Sequence, residues 1–381
     1  MQRSRIRDAG ITVGALPTGP RNAITDVVGV RVGHATLIWG EGTLVPGHGP
    51  ARTGVTVILP HGDNLFRHKV HAAVHTINGY GKPFGFEQVR ELGVIESPIA
   101  LTNTLNVGRV ADALVEYSIR QNPDIGITTS SVNVVVGETN DGWLNDLQGR
   151  HVKAEHVWAA LDSASLESVE EGNVGAGTGT VCFGWKGGIG TSSRVIPGDA
   201  GGFTLGALVQ SNFGRAKDLA ICGVPVGKMI RPDRSRTSGS VRSDAGSIMI
   251  VLATDAPLDA RQLRRLCVRT AAGLARVGSH YGHGSGDFVI GFSTANRIAH
   301  EPTSLTATQT VLADEQKAMG WLFPAVVECV EEAVLNSLFR AETMVGRGGH
   351  TAYGLPVEDV VKWVESYNAF ARMSPISSAL N

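Results

Sequence analysis

An α+β layered sandwich is the fold class this chain predicts, and three observations carry it. Strand-like and helix-like runs alternate in blocks rather than one by one, which argues against a doubly wound sheet. Apolar runs such as SIMIVLAT (Ser247 to Thr254) read as strands buried on both faces. The 48 glycines are interleaved with Val, Ile and Thr, so they signal tight turns and close backbone approaches rather than disorder.

Taken in order, residues 11–38 alternate Gly and Val around ITDVVGVRVGHATLI and predict a strand or hairpin. GVTVILPH (Gly54 to His61) predicts another strand, with a loop between the two. HKVHAAVHTINGYG contains His68, His71 and His75, which on a helix would share a face like metal ligands. Its β-branched content and the Asn78-Gly79 step favour a strand and turn, which puts His68 opposite the other two. Helical spacing predicts helices over Leu105 to Asn122, Glu155 to Glu171, Pro257 to Val277, Leu322 to Arg340 (with Pro324 in its first turn) and Pro356 to Phe370. Further strands are expected at Phe203 to Gly214, Leu219 to Gly227, Ser247 to Thr254 and Asp287 to Thr294.

Composition limits function. With 34 basic against 35 acidic residues and a pI near 6.9, nothing calls for nucleic acid or an anionic membrane as partner. Cys182, Cys222, Cys267 and Cys329 are scattered among apolar neighbours, so buried free thiols are expected. No apolar run is long enough to span a bilayer and the first ten residues lack an apolar core, so a cytoplasmic, soluble protein is expected. Arg231 to Gly246, rich in Arg, Ser, Asp and Gly, has the composition of a protease-accessible loop within one domain.

That loop meets the apolar run at Gly246-Ser247. A cut there would give Ser247 both a hydroxyl and a free α-amine, the nucleophile and base pairing of hydrolases that work from a new N-terminus. On local pattern alone a Gly-Ser step is the better read as a turn. Four other clusters invite a functional reading. The glycines of GAGTGTVCFGWKGGIGTSSR (Gly175 to Arg194) do not fall as a nucleotide loop, so a glycine-lined strand and turn is expected. VVVGETNDGWLND sets Glu138 and other carboxylates beside Trp143, which suits either a solvated turn or a ligand bearing an ammonium group. Asn212 in LVQSNFG closes a strand, as a turn former or as an oxyanion donor. In HYGHGSGDFVIGFST, Ser285 and Asp287 fall two apart at a strand start, so alternation puts both on one face, with His280 and His283 as rival partners.

NAITDVVGVRVGH, TLNVGRVADAL, GETNDGWLND, GAGTGTVCFGWKGGIGTSSR, LVQSNFG, DAGSIMIVLATDAPL and GHGSGDFVIGFSTAN together resemble the family of L-aminopeptidase D-alanine esterase/amidases and β-peptidyl aminopeptidases, from about Arg5 to about Phe370. The resemblance implies a four-layer αββα sandwich like that of N-terminal nucleophile hydrolases with different connectivity. It also implies a single catalytic domain that cuts itself at Gly246/Ser247 into chains 1–246 and 247–381. These would assemble into a homo-oligomer, a tetramer of processed heterodimers. Carried over residue by residue, it makes Ser247 the nucleophile, Ser285 and Asp287 the second serine and its acid, and Asn212 the oxyanion donor. Trp143 becomes the pocket's aromatic wall and Glu138 the acid near the substrate amine; some relatives have Tyr and Glu where this chain has Trp143 and Asp287. The expected substrates are short peptides, amides or esters with a free N-terminal amine, and no metal or organic cofactor is expected. An acyltransferase of the ornithine acetyltransferase type is the alternative enzyme, weakened because those proteins cut before a threonine. An inactive binding relative is the alternative of another class.

Overall fold

The computed structural model describes residues 3–232 and 245–373. In chain order the strands are β1 Arg31–Trp39, β2 Ala51–Leu59, β3 His68–Gly79, β4 Val94–Ile95, β5 Ile99–Asn103, β6 Val135–Thr139, β7 Val181–Cys182, β8 Trp185–Lys186, β9 Ile189–Val195, β10 Thr204–Asn212, β11 Ala245–Thr254, β12 Gly284–Ser293, β13 Ile298–Ala299, β14 Met344–Val345 and β15 Thr351–Ala352. The helices are α1 Phe86–Leu92, α2 Val107–Gln121, α3 Ala154–Asp162, α4 Val226–Met229, α5 Ala260–Arg276, α6 Glu315–Arg340 and α7 Val357–Met373.

Two sheets stack face to face between two helical layers, the αββα order expected. One sheet runs β1-β2-β5-β6, and the other β13-β3-β12-β11-β10-β9. Strand alternation assigns each side chain to a layer. Met249, Val251, Phe288 and Ile290 turn inward and meet Ile58, Leu101 and Val135 of the opposite sheet. Ile248, Ile250 and Val289 turn outward onto Leu263 and Leu266 of α5 and Val330 and Val334 of α6. On the other side Val55, Val57 and Val136 pack against Val110 and Leu114 of α2 and Val157 of α3. Each of these fully buried aliphatic side chains contributes roughly 1.5–3 kcal/mol. β11 sits at the centre, antiparallel to β10 and parallel to β12, so its N-terminal end is fixed by neighbours on both sides.

Several expectations are corrected. Only Arg31–Trp39 of residues 11–38 forms a strand; the segment before it is tied down by side chains, Arg5 to Glu171 and Arg7 to Glu332, both at 2.7 Å. Leu219 to Gly227 is a turn leading into α4, because Gly223 at φ 81° and Pro225 break the apolar run. The helix from Ala154 stops at Asp162, where Ser165 pairs with Val32. α6 begins seven residues before the expected Leu322, with Asp314 accepting from the Lys317 N–H, so Pro324 lies inside it. A proline there cannot donate the helical hydrogen bond to the Gly320 carbonyl. Ile119, expected on the packed face of α2, is 41% exposed, and Cys222 is half-buried while the other three cysteines are buried. α1 was not foreseen.

Candidate active site

Asn212, Ser247, Ser285, Asp287 and Glu138 lie where β10, β11 and β12 meet the end of β6. The ladder sets Asn212 opposite Ser247 on one side, and Gly246 opposite Ser285 with Ser247 opposite Gly286 on the other. Ser247 is 4% exposed, and its Oγ donates to the Gly246 carbonyl at 2.5 Å. A Cβ at residue 246 would lie 3.0 Å from the Phe213 Cα, so the backbone of β10 approaches this glycine closely.

Ser285 and Asp287 behave as alternation predicts. The buried Ser285 hydroxyl donates to Asp287 Oδ1 at 2.7 Å, while Asp287 Oδ2 is buried without a hydrogen-bond partner among the described residues. Burial pushes the Asp287 carboxyl up to about 6, and the hydrogen bond from Ser285 pulls the other way. Neither rival histidine hydrogen-bonds this pair among the described residues. No hydrogen bond joins Ser285 to Ser247 among the described residues. The register explains this, because Ser247 shares the inward side of Met249, whereas Ser285 and Asp287 share the outward side of Ile248.

Asn212 is held at both ends of its amide. Oδ1 accepts from the Val181 N–H at 2.9 Å, and Nδ2 donates to the Asn140 carbonyl at 3.0 Å, so that among the described residues one N–H of the same group has no acceptor. Asn140 follows β6 and carries the Glu138 end of that strand to this corner. Glu138 is buried, and its Oε1 receives the Lys82 backbone N–H at 3.1 Å and faces the Lys82 ammonium at 3.7 Å. Oε2 has no protein hydrogen bond among the described residues. The turn before Lys82 links Glu138 to the catalytic strands, since the Tyr80 N–H donates to Ser285 O at 3.2 Å. Gly81 is needed there; a Cβ would lie 2.6 Å from the Phe288 ring and 3.0 Å from Glu138 Oε1.

Trp143 stacks on His350 with ring centroids 4.0 Å apart and an interplanar angle of 13°, and His350 Nδ1 bonds the Trp143 carbonyl at 2.8 Å. His350 was missed from sequence, as were Lys82 and Lys186, whereas Asn140 lay in the cluster read as a turn or a ligand site; the signal for Lys186 was a lone cation in an otherwise apolar, glycine-flanked stretch. Asp141, read in a turn open to ligands, is instead buried with Asn145 on its Oδ1. Among the described residues no group of three or more His, Cys, Asp or Glu is placed to hold a metal ion, and no helix is long and apolar enough to cross a membrane.

Peptidase family S58 matches residues 22–352. The chain is 40% identical to beta-peptidyl aminopeptidase BapA of Sphingosinicella microcystinivorans, over 96% of this chain and 93% of that protein. Among solved structures it is similar to the PH0078 protein of Pyrococcus horikoshii OT3, with a TM-score of 0.89 and 48% identity over 96% of this chain and 99% of that one. It is also similar to the L-aminopeptidase D-Ala-esterase/amidase of Ochrobactrum anthropi, described as a prototype for the serine aminopeptidases with a variant of the Ntn hydrolase fold. The TM-score is 0.85 and the identity 38%, over 96% of this chain and 99% of that one. Nothing in these likenesses supports the acyltransferase alternative. The chain therefore belongs to peptidase family S58, as a serine-type aminopeptidase/amidase on a variant of the Ntn hydrolase fold.

Proposed function

We propose that Ser247 is the nucleophile of a self-processing aminopeptidase, cut between Gly246 and Ser247 into chains 1–246 and 247–381. The observation that carries this reading is the register at the head of β11, which puts an amide donor, Asn212, and a hydroxyl–carboxylate pair, Ser285–Asp287, on the two strands flanking Gly246-Ser247. In the precursor, the Ser247 oxygen attacks the Gly246 carbonyl carbon and the peptide nitrogen leaves, taking a proton to become the Ser247 α-amine. Water then hydrolyses the ester, releasing the Gly246 carboxylate and restoring the hydroxyl. The Oγ already lies against that carbonyl. Cutting also frees residue 247 from the upstream strand, which in the intact chain turns it away from Ser285.

In the processed enzyme Ser247 attacks the carbonyl that follows the substrate's first residue. Its α-amine, with an ordinary pKa of roughly 7.7 to 8.0, is matched to proton transfer near neutrality. Asn212 holds the oxyanion, Ser285 with Asp287 relays the proton to the leaving amine, and water completes the turnover. Glu138 Oε2 takes the substrate ammonium, and the Trp143 ring forms the wall for its first side chain. Short peptides, amides and esters with a free amine fit this arrangement, and the names of the relatives point to β-amino-acid and D-alanine derivatives as the substrates to try. The reaction so written uses no metal or organic cofactor. A cytoplasmic tetramer of processed heterodimers completes the reading; Trp363, Tyr367 and Phe370, exposed along one side of α7, support self-association.

The test is direct. Purified protein should run as two fragments on a denaturing gel, and Ser247→Ala as one full-length band without activity. A processed alanine variant, or an active intact chain, would overturn the reading.

A further inference from the structure

Two ionisable side chains lie buried behind Asn212 and have no part in the reaction above. The Lys186 side chain on β8 is fully buried, and its ammonium donates to the carbonyls of Gly177 at 2.9 Å and Gly187 at 2.7 Å. Asp141 is 1% exposed, with the Asn145 amide donating to its Oδ1 at 3.0 Å and the Thr53 hydroxyl also hydrogen-bonded to the carboxylate. Burial pushes the Asp141 carboxyl up to about 7 and the Lys186 ammonium down to about 7, with the charge of each opposing the other's shift. Burying such groups without a close ion pair is expensive, so packing alone does not account for them.

Their placement does. Asp141 immediately follows Asn140, whose carbonyl grips Asn212 Nδ2. Lys186 pins the two ends of the Gly177 to Gly187 turn together, and that turn carries Val181, whose N–H grips Asn212 Oδ1. The same turn is closed by the Gly187 N–H donating to Thr180 O at 3.0 Å. The two supports also touch, since a Cβ on Gly179 would lie 2.9 Å from the Asp141 Cβ. One buried cation and one buried carboxylate thus stand behind the two hydrogen bonds that aim a single amide.

We propose that Lys186 and Asp141 are positioning residues for Asn212, fixing from behind the two backbone groups that orient its amide toward the developing oxyanion. This rests on the reading of Asn212 as the oxyanion donor. A fixed donor needs no reorganisation as charge develops, so loosening its supports is felt in the transition state rather than in substrate binding.

The experiment is a kinetic cycle with an aminoacyl p-nitroanilide. Lys186→Met should lower kcat on the order of 10- to 100-fold, the scale of a small misplacement near the reacting atoms, with KM within about twofold. Asp141→Asn, which keeps the side-chain volume, should move kcat in the same direction and carries the test if Lys186→Met does not fold. In an Asn212→Ala background either substitution should lower kcat by less than about twofold more, because residues acting through one group are not additive. Self-cutting forms an oxyanion too, so a variant that accumulates as full-length chain is read by its cutting rate instead. If Asn212→Ala lowers kcat and Lys186→Met multiplies that loss, or raises KM alone, the proposal fails while the oxyanion reading stands. If Asn212→Ala leaves kcat intact, the oxyanion reading falls and the proposal with it.

Discussion

Ser247 stands between two neighbours built on opposite terms. On the β10 side, the Asn212 amide is satisfied at both ends by backbone groups, Val181 N–H and Asn140 O. On the β12 side, Asp287 has one oxygen satisfied by Ser285 and the other buried without a partner among the described residues. The first is a neutral dipole clamped in place, and the second is an acid whose charge the fold disfavours. The proposed mechanism needs both kinds of group and tolerates neither trait in the other, since an oxyanion donor must not move and a proton relay must not be locked in one charge state. The two strands flanking β11 keep the tasks apart.

The clamped side gives the largest effect. Asn212→Ala should lower kcat on the order of 10²- to 10³-fold, the loss of one oxyanion donor, with KM little changed. Steady-state kinetics on the processed enzyme checks this, and a loss confined to KM would move Asn212 from the transition state to substrate binding.

The disfavoured charge on the other side makes a stability prediction with the opposite sign from the usual catalytic mutation. The folded-state value for Asp287, about 6, lies above its ordinary 3.8, so the folded protein holds this proton more tightly than the unfolded chain. The stability this proton confers is present below about pH 4, falls as pH rises, and is lost above about pH 6. Asp287→Asn, which keeps the acceptor for Ser285 and cannot ionise, should therefore be more stable than its parent at pH 8 by on the order of 3 kcal/mol and no more stable at pH 4. Melting temperatures in a Ser247→Ala background, where both proteins stay full-length, measure it. Equal stability at pH 8 would mean that the carboxylate is well solvated and the contrast with Asn212 is lost.

How much of this was legible in the sequence follows from how local the cause is. The strand SIMIVLAT, the inward residues of α5 and α6, and the Ser285–Asp287 hydrogen bond all come from periodicities of two or 3.6 residues, which are written in the chain itself. What was not legible depends on partners far away. The apolar run Leu219 to Gly227 had strand composition, yet its Ala220 N–H goes to the Val277 carbonyl after α5, and Gly223 and Pro225 turn it into α4. α1 spans seven residues between two left-handed glycines, Gly85 and Gly93, too short for a helical period to register. His350 lies 207 positions from Trp143, and Lys186 finds its acceptors in glycine carbonyls that carry no sequence signature. The side to which Ser247 turns was also hidden, because it depends on the register of β11 against β12 rather than on either strand alone.

The smallest effect separates the two sides most cleanly, because it is read as a position on the pH axis rather than as a height. If the ionised Asp287 must accept the Ser285 proton, kcat/KM should fall about tenfold per unit as pH drops below about 6, where the carboxylate takes up its own proton. Ser285→Ala removes the hydrogen bond that holds this carboxyl down, so burial acts unopposed and the acid limb of the remaining activity should shift to higher pH. Asn212→Ala should lower the whole profile and leave the limb where it was, since a neutral amide has no proton to exchange. A limb that stays fixed in Ser285→Ala belongs to another group, and the buried pair Asp141 and Lys186, both near 7, would be the first to test by repeating the profile in Lys186→Met. Height moving with one neighbour and position with the other is what a division of labour between a fixed dipole and a titrating acid requires.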